Sequence, residues 1–169
     1  MRVAAVVPAA GSGARMGGVK KQFMDIAGKP MLAWTLLRLA SSPLIDGIVV
    51  AVPDGDEEFA RDQIIARHGI GKIAAVVAGG ATRQRSVANA LAAAPDDAEY
   101  LLTHDGARPL VTPEIIAAAL AAAGRTGAAI AAIPAADTLK TAREGIITGA
   151  IPREGVFQIQ TPQCFKADI

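Results

Sequence analysis

The chain has 169 residues and a formal net charge of +1 at pH 7, so we expect one domain without a nucleic-acid partner. Its hydrophobic content of 51% includes only 4% aromatic residues, and no uncharged apolar run reaches the roughly 18 residues that cross a bilayer. Cys164 is the only cysteine, which excludes an intramolecular disulfide and predicts a packed thiol. The first residues do not resemble a signal peptide. We therefore expect a cytoplasmic protein with no membrane partner.

Several runs that are apolar at nearly every position predict strands that are buried on both faces. They lie at residues 2–7, 47–52, 73–77, 100–103 and 128–133.

Helical patterns separate these runs. Pro30 suits a first helical turn and is followed by leucines at helical spacing. A second segment runs from Asp54, with acidic residues in its first turn, to about His68. A third begins at Thr112, and Gly124 is a plausible end for it. This alternation predicts an α/β fold, a mainly parallel sheet with helices on both faces, whose ligands bind beyond the carboxyl ends of the strands.

The pattern changes at about residues 137–163. Glycines, prolines and short β-type pieces such as GIITGAI and VFQIQ replace the alternation of helix and strand there. We interpret this segment as a β-arm that belongs to a single domain, residues 1–169.

A glycine-rich, positively charged loop, PAAGSGARMGGVKKQF, follows the first predicted strand. Gly11 and Gly13 allow close backbone approach, and their amides can form a concave set of donors. The loop also carries the cations Arg15, Lys20 and Lys21. A polyphosphate is the ligand that fits best, although the spacing matches neither a P-loop nor a dinucleotide fingerprint. The alternative is a surface loop with solvated cations.

The next strand ends carry further polar residues. In AGGATRQRSV, Gly79 and Gly80 could admit a flat base against the backbone, and Ser86 could donate a hydrogen bond to it. In LLTHDGARP, Asp105 could hold Mg²⁺, which prefers one or two carboxylates plus substrate phosphates. We expect His104 to be a packing residue. Together these strand ends predict a site for a nucleoside triphosphate and a metal ion.

Several motifs in this order, PAAGSGARMG…KKQF, GG.TRQRSV, HDGARP, DTLK and TPQCF, resemble the 2-C-methyl-D-erythritol 4-phosphate cytidylyltransferase family. The resemblance covers essentially the whole chain. It implies a Rossmann-like nucleotidyltransferase that transfers CMP from CTP to 2-C-methyl-D-erythritol 4-phosphate. The products would be 4-diphosphocytidyl-2-C-methyl-D-erythritol and pyrophosphate, in the non-mevalonate isoprenoid pathway. A divalent cation, usually Mg²⁺, and a homodimer joined through the arm are also implied.

The resemblance also implies roles for single residues. Nucleotide contacts would come from Ala9, Ala10, Gly11, Gly13, Gly80 and Ser86. Arg15 and Lys21 match cations that act on the triphosphate and the transition state. Asp105 matches an acidic residue near the metal and the substrate, and Arg108 and Thr138 match substrate contacts. Arg153, in the arm, matches the arginine that positions methylerythritol phosphate, and it could serve a partner's site.

The sequence departs from the family pattern at several points. Lys20 replaces a usual proline, so Lys20 and Lys21 could partly substitute for each other, and Ala81 and Arg85 stand where acidic residues are common. Family domains normally continue beyond Ile169. We therefore expect a C-terminally incomplete domain, which could be inactive as it stands and whose missing part could include a fused cyclodiphosphate synthase.

Two other functions remain open from the sequence. One is a pyrimidine nucleotidyltransferase for another polyol or sugar phosphate, such as ribitol 5-phosphate. The other is a nucleotide-binding domain without catalysis.

Overall fold

The computed structural model describes residues 2–13 and 17–168. Its strands, in chain order, are β1 (Val3–Pro8), β2 (Asp25–Ile26), β3 (Lys29–Pro30), β4 (Gly47–Val52), β5 (Ile73–Ala78), β6 (Tyr100–Thr103), β7 (Ala128–Pro134), β8 (Leu139–Arg143), β9 (Ile146–Ile151) and β10 (Phe157–Lys166). Its helices are α1 (Met31–Ser41), α2 (Glu57–Phe59), which continues into a π-helical segment (Ala60–Ala66), α3 (Arg83–Leu91) and α4 (Pro113–Thr126). A short 3₁₀ turn spans Lys21–Phe23.

The central sheet has 6 strands in the order β5-β4-β1-β6-β10-β7. Strand β1 pairs in parallel with β4 and β6, and β4 pairs in parallel with β5, whereas β10 is antiparallel to β6 and β7. Every residue of β4 is buried, because helices cover both faces of the sheet. The predicted α/β fold with a mainly parallel sheet is confirmed, and each predicted strand lies within one residue of the observed bounds.

The helices follow their apolar patterns. In α1 the side chains of Leu32, Leu36 and Leu39 are fully buried against the sheet. Pro30 is the last residue of β3 and caps this helix, so its placement in the first helical turn is wrong by one position. Thr112 caps α4 as predicted, since its hydroxyl accepts a hydrogen bond from the Ile115 amide at 3.4 Å.

The predicted end of α4 at Gly124 is wrong. The helix continues to Thr126 and is capped by Gly127, which has a φ of 85°. A left-handed conformation of this kind is what commonly ends a helix, and it favours glycine. Gly124 has helical geometry and occupies an ordinary position inside the helix.

Within residues 137–163, β8 and β9 form an antiparallel hairpin apart from the central sheet. Glu144 and Gly145 form its turn, with φ values of 53° and 80°, the positive values that two-residue hairpin turns require. The segment VFQIQ was expected to belong to the arm. Instead, Phe157 and the residues after it pair with β7 and are part of the central sheet.

Cys164 is fully buried, and burial raises the pKa of its thiol to about 12. The prediction of a packed thiol is confirmed for this residue. Among the residues that the structure describes, no helix has the length and apolar character needed to cross a bilayer.

Candidate active site

A cavity of about 740 Å³ lies at the carboxyl end of the sheet. Its lining consists of three segments at or just after the ends of β1, β5 and β6, together with three further side chains. These are residues 8–13, 80–83 and 105–108, and Lys21, Gln22 and Ser86. The sheet therefore brings together the strand ends that the sequence singled out. A second cavity of about 790 Å³ lies between α4 and β7, but its lining is mostly apolar. Of the predicted site residues that the structure describes, it includes only Arg108.

The loop after β1 approaches its neighbours closely. The Ala9 amide donates to the Ala51 carbonyl at 2.7 Å, which fixes the start of the loop against β4. Gly13 has a φ of 69°, and a Cβ atom there would lie 1.9 Å from the Val19 carbonyl oxygen, so this position requires glycine. Arg15, which was predicted together with Lys21 to act on the triphosphate, lies outside the described residues.

Gln22 is a buried site residue that the sequence analysis missed. Its side-chain amide donates to the Gly11 carbonyl at 3.1 Å, and only 4% of the residue is exposed. This bond ties the 3₁₀ turn to the glycine loop. The sequence signal was weak, since a glutamine after two lysines commonly indicates a solvated surface.

The structure separates the two neighbouring lysines of the loop. Lys20 forms an ion pair with Asp56, before α2, and its ammonium group lies 5.8 Å from the centre of the Phe23 ring. Lys21 lines the cavity, whereas Lys20 does not. Of these two cations, Lys21 is the one placed to meet a ligand.

The turn after β5 is held tightly against the first loop. A Cβ atom at Gly79 would lie 2.1 Å from the Ala10 Cβ atom, and one at Gly80 would lie 2.3 Å from Arg85 Cγ. The buried Ser86 hydroxyl accepts from the Gly80 amide at 3.0 Å and donates to the Thr82 carbonyl at 3.1 Å. Ser86 therefore shapes the turn that lines the cavity.

Asp105 is held by two guanidinium groups. Arg83 donates to Asp105 Oδ1 from Nε at 3.0 Å and from Nη2 at 2.9 Å, and Arg108 Nε donates to Oδ2 at 3.1 Å. Arg83 was missed by the sequence analysis, because its position in TRQRSV does not indicate which strand end it reaches.

His104 packs beneath this loop, as predicted, and is 1% exposed. Its Nε2 donates to the Arg108 carbonyl, and its Nδ1 accepts from the Thr161 hydroxyl, each at 3.0 Å. A carbonyl can only accept, so this network selects the tautomer with the proton on Nε2. Burial lowers the pKa of the His104 imidazole, and this effect outweighs the hydrogen bond to Arg108 and the charge of Asp105, which raise it.

The predicted arm residues lie apart from the cavity. Arg153 Nη1 donates to the Ala136 carbonyl at 2.7 Å, and the exposed Thr138 directly precedes β8. Neither lines the cavity of its own chain.

The cavity fits a metal ion only together with a ligand. Among the described residues, Asp105 is the one acidic residue in the lining, and there is no cluster of three or more His, Cys, Asp or Glu side chains that could hold a metal ion. Mg²⁺ is commonly held by one or two carboxylates plus substrate phosphates, which is compatible with Asp105.

Comparisons with known proteins identify the family of the chain. The family model described as 2-C-methyl-D-erythritol 4-phosphate cytidylyltransferase matches residues 3–169. The cytidylyltransferase of this name from Geobacter metallireducens is 46% identical, over 98% of this chain and 73% of the relative. A bifunctional IspD/IspF enzyme from Desulforudis audaxviator is 44% identical, over 98% of this chain and 42% of its own length.

A solved structure supports the same assignment. The 4-diphosphocytidyl-2C-methyl-D-erythritol synthase from Anaerococcus prevotii matches with a TM-score of 0.81 and 31% identity, over 98% of this chain and 70% of that one. The chain therefore belongs to the 2-C-methyl-D-erythritol 4-phosphate cytidylyltransferase family, a family of nucleotidyltransferase enzymes of the non-mevalonate isoprenoid pathway.

Proposed function

We propose that the chain carries out its family's reaction in the cavity at the carboxyl end of the sheet. CMP is transferred from CTP to 2-C-methyl-D-erythritol 4-phosphate, giving 4-diphosphocytidyl-2-C-methyl-D-erythritol and pyrophosphate. The observation that carries the proposal is the convergence of the glycine loop with Lys21, the turn with Ser86 and the loop with Asp105 around one cavity.

The chemistry requires charge stabilisation more than covalent catalysis. A phosphate oxygen of the acceptor attacks the α-phosphorus of CTP, the bond to the β-phosphate oxygen breaks, and pyrophosphate leaves. Both reactants are anions, so they must be held together against their mutual repulsion. Positioning and preorganised positive charge supply most of the catalysis in reactions of this kind.

The loop after β1 binds the triphosphate in this proposal. Its backbone lies at the cavity wall over residues 8–13, and Lys21 adds a positive charge beside it. Arg15 is proposed as the second cation. Ala9, Ala10 and Gly11 supply the backbone contacts to the nucleotide.

The turn after β5 holds the cytosine base. Gly80 lines the cavity and lacks a side chain, so the base can approach its backbone in this proposal. Ser86 acts through the shape of the turn, because its hydroxyl already bonds to Gly80 and Thr82.

Asp105 and Arg108 lie on the acceptor side of the cavity in this proposal. Asp105 is the residue that would hold a divalent cation, and Mg²⁺ is the ion we propose. When bound, the divalent cation would neutralise part of the negative charge of the triphosphate. We also propose a cytoplasmic location.

We also propose a homodimer in which each arm reaches the partner's cavity. Arg153 and Thr138 would then contact methylerythritol phosphate from the second subunit. The support is that neither residue lines its own cavity, and that the hairpin exposes the apolar side chains Ile146 and Ile147 by 70% and 66%. Exposed apolar patches of this kind often mark interaction surfaces.

Pyrophosphate release by the full-length protein tests the function. CTP should support turnover with methylerythritol phosphate and much slower turnover with ribitol 5-phosphate. Equal or faster turnover of ribitol 5-phosphate would contradict the proposed acceptor. Binding of CTP without turnover of any phosphate acceptor would identify a non-catalytic domain.

A further inference from the structure

Arg83 connects two sides of the cavity through Asp105. Arg83 is the first residue of α3, where the hydroxyl of the capping Thr82 accepts from the Arg85 amide at 3.1 Å. Asp105 follows β6, and β4 and β1 lie between β5 and β6 in the sheet. The ion pair therefore spans the carboxyl end of the sheet, from the turn that precedes α3 to the loop that carries Arg108.

This contact fixes the direction of the only carboxylate among the described residues that line the cavity. Arg83 binds Oδ1 through two nitrogens at 2.9 and 3.0 Å, and Arg108 binds Oδ2 at 3.1 Å. A carboxylate that is bonded at both oxygens has one preferred orientation.

The same contact contributes little to folding. The side chains of Arg83 and Asp105 are 50% and 30% exposed, and ion pairs this accessible to water add little stability. A contribution to folding stability therefore does not explain why Arg83 contacts Asp105 through two nitrogens at the cavity wall.

We propose that Arg83 is a positioning residue for cytidylyl transfer, which acts by orienting Asp105. This inference rests on the proposed function, since it gives Asp105 a task in the reaction. The alternative role for Arg83 is direct binding of a substrate phosphate. In that case, the effects of substituting Arg83 and Asp105 would be independent of each other.

A double-mutant cycle on the full-length enzyme tests the inference. The variants are Arg83→Gln, Arg83→Lys, Asp105→Asn and the Arg83→Gln/Asp105→Asn double variant, with kcat and KM measured by pyrophosphate release from CTP and methylerythritol phosphate. Arg83→Gln should lower kcat/KM about tenfold or more, mostly through kcat, whereas in the Asp105→Asn background it should change kcat/KM less than about threefold. Arg83→Lys should recover part of the loss, because it keeps the charge but not the two-nitrogen contact.

Arg67→Gln is the matched control, since Arg67 is an exposed arginine outside the cavity lining, and it should leave kcat/KM unchanged. Circular dichroism should show the same fold for all variants. An equal fold-loss from Arg83→Gln in both backgrounds, or a loss confined to the KM for CTP, would overturn the inference while leaving the proposed function in place. No turnover by the unsubstituted enzyme would contradict the proposed function and the inference together.

Discussion

Gly79 packs so closely against Ala10 that a Cβ atom at position 79 would lie 2.1 Å from the Ala10 Cβ atom. This contact sets the distance between the loops that follow β1 and β5. Gly79→Ala must push them apart, so we expect a loss of about 1–3 kcal/mol in the free energy of unfolding. Because residues of both loops line the cavity, kcat/KM should fall as well. Urea denaturation and steady-state kinetics measure the two effects.

Gly124→Ala is the matched control for this prediction. Gly124 lies inside α4, and the nearest atom to a Cβ built there is the Tyr100 hydroxyl oxygen at 3.6 Å, an ordinary contact distance. Alanine is favoured over glycine inside a helix by about 0.5–1 kcal/mol. Gly124→Ala should therefore keep or raise stability, and an equal destabilisation by both substitutions would contradict the packing argument.

Lys20 and Lys21 should differ sharply when each is changed to glutamine. Lys21 lines the cavity, so Lys21→Gln removes a charge that faces the triphosphate in the proposed complex, and kcat/KM should fall on the order of 10²-fold. Lys20 forms a partly exposed ion pair with Asp56, a contact worth about 0–1 kcal/mol. Lys20→Gln should therefore change kcat/KM only slightly. Comparable losses from both substitutions would show that the two lysines share one role.

The strands were predictable because burial on both faces leaves a continuous apolar run. The bounds of β4 and β6 follow directly from such runs. The end of α4 was not predictable in this way, because Gly124 and Gly127 are both compatible with a helix end. Only the tertiary structure determines that Gly127 adopts the positive φ.

The sequence predicted which strand ends form the candidate site, but not which side chains contact one another there. Parallel strands place their carboxyl ends at one edge of a sheet, so the polar residues after β1, β5 and β6 could be assigned to one cavity. The contacts of Arg83 with Asp105 and of Gln22 with Gly11 join residues that are 22 and 11 positions apart. They depend on the directions of side chains in loops, for which the sequence has no periodic signal.

Folding stability should fall in acid partly because of His104. Burial lowers the pKa of its imidazole below the ordinary value of 6.5. Above that value both the folded and the unfolded states are neutral at this residue. As the pH falls through 6.5, the unfolded state binds a proton that the folded state does not, so stability decreases by up to about 1.4 kcal/mol per pH unit until the folded pKa is reached.

His104→Gln isolates this effect. The substitution removes the titration and also disturbs the hydrogen bonds to Arg108 and Thr161, so the variant should be less stable at neutral pH. The stability advantage of the unsubstituted protein should then shrink between about pH 7.5 and pH 5.5. Urea denaturation of both proteins across this range measures it. An advantage that grows toward acid would mean that folded His104 is protonated.

The proposed exchange of arms predicts that two inactive variants restore activity when mixed. Lys21→Gln disables the cavity of its own chain, and Arg153→Gln disables the arm that serves the partner. In a mixed dimer one site combines an intact cavity with an intact arm, and the other site has neither. Random exchange of equal amounts should therefore recover about a quarter of the unsubstituted activity. Each variant alone should stay inactive after the same treatment. If the mixture also stays inactive although native mass spectrometry shows mixed dimers, Arg153 serves the cavity of its own chain.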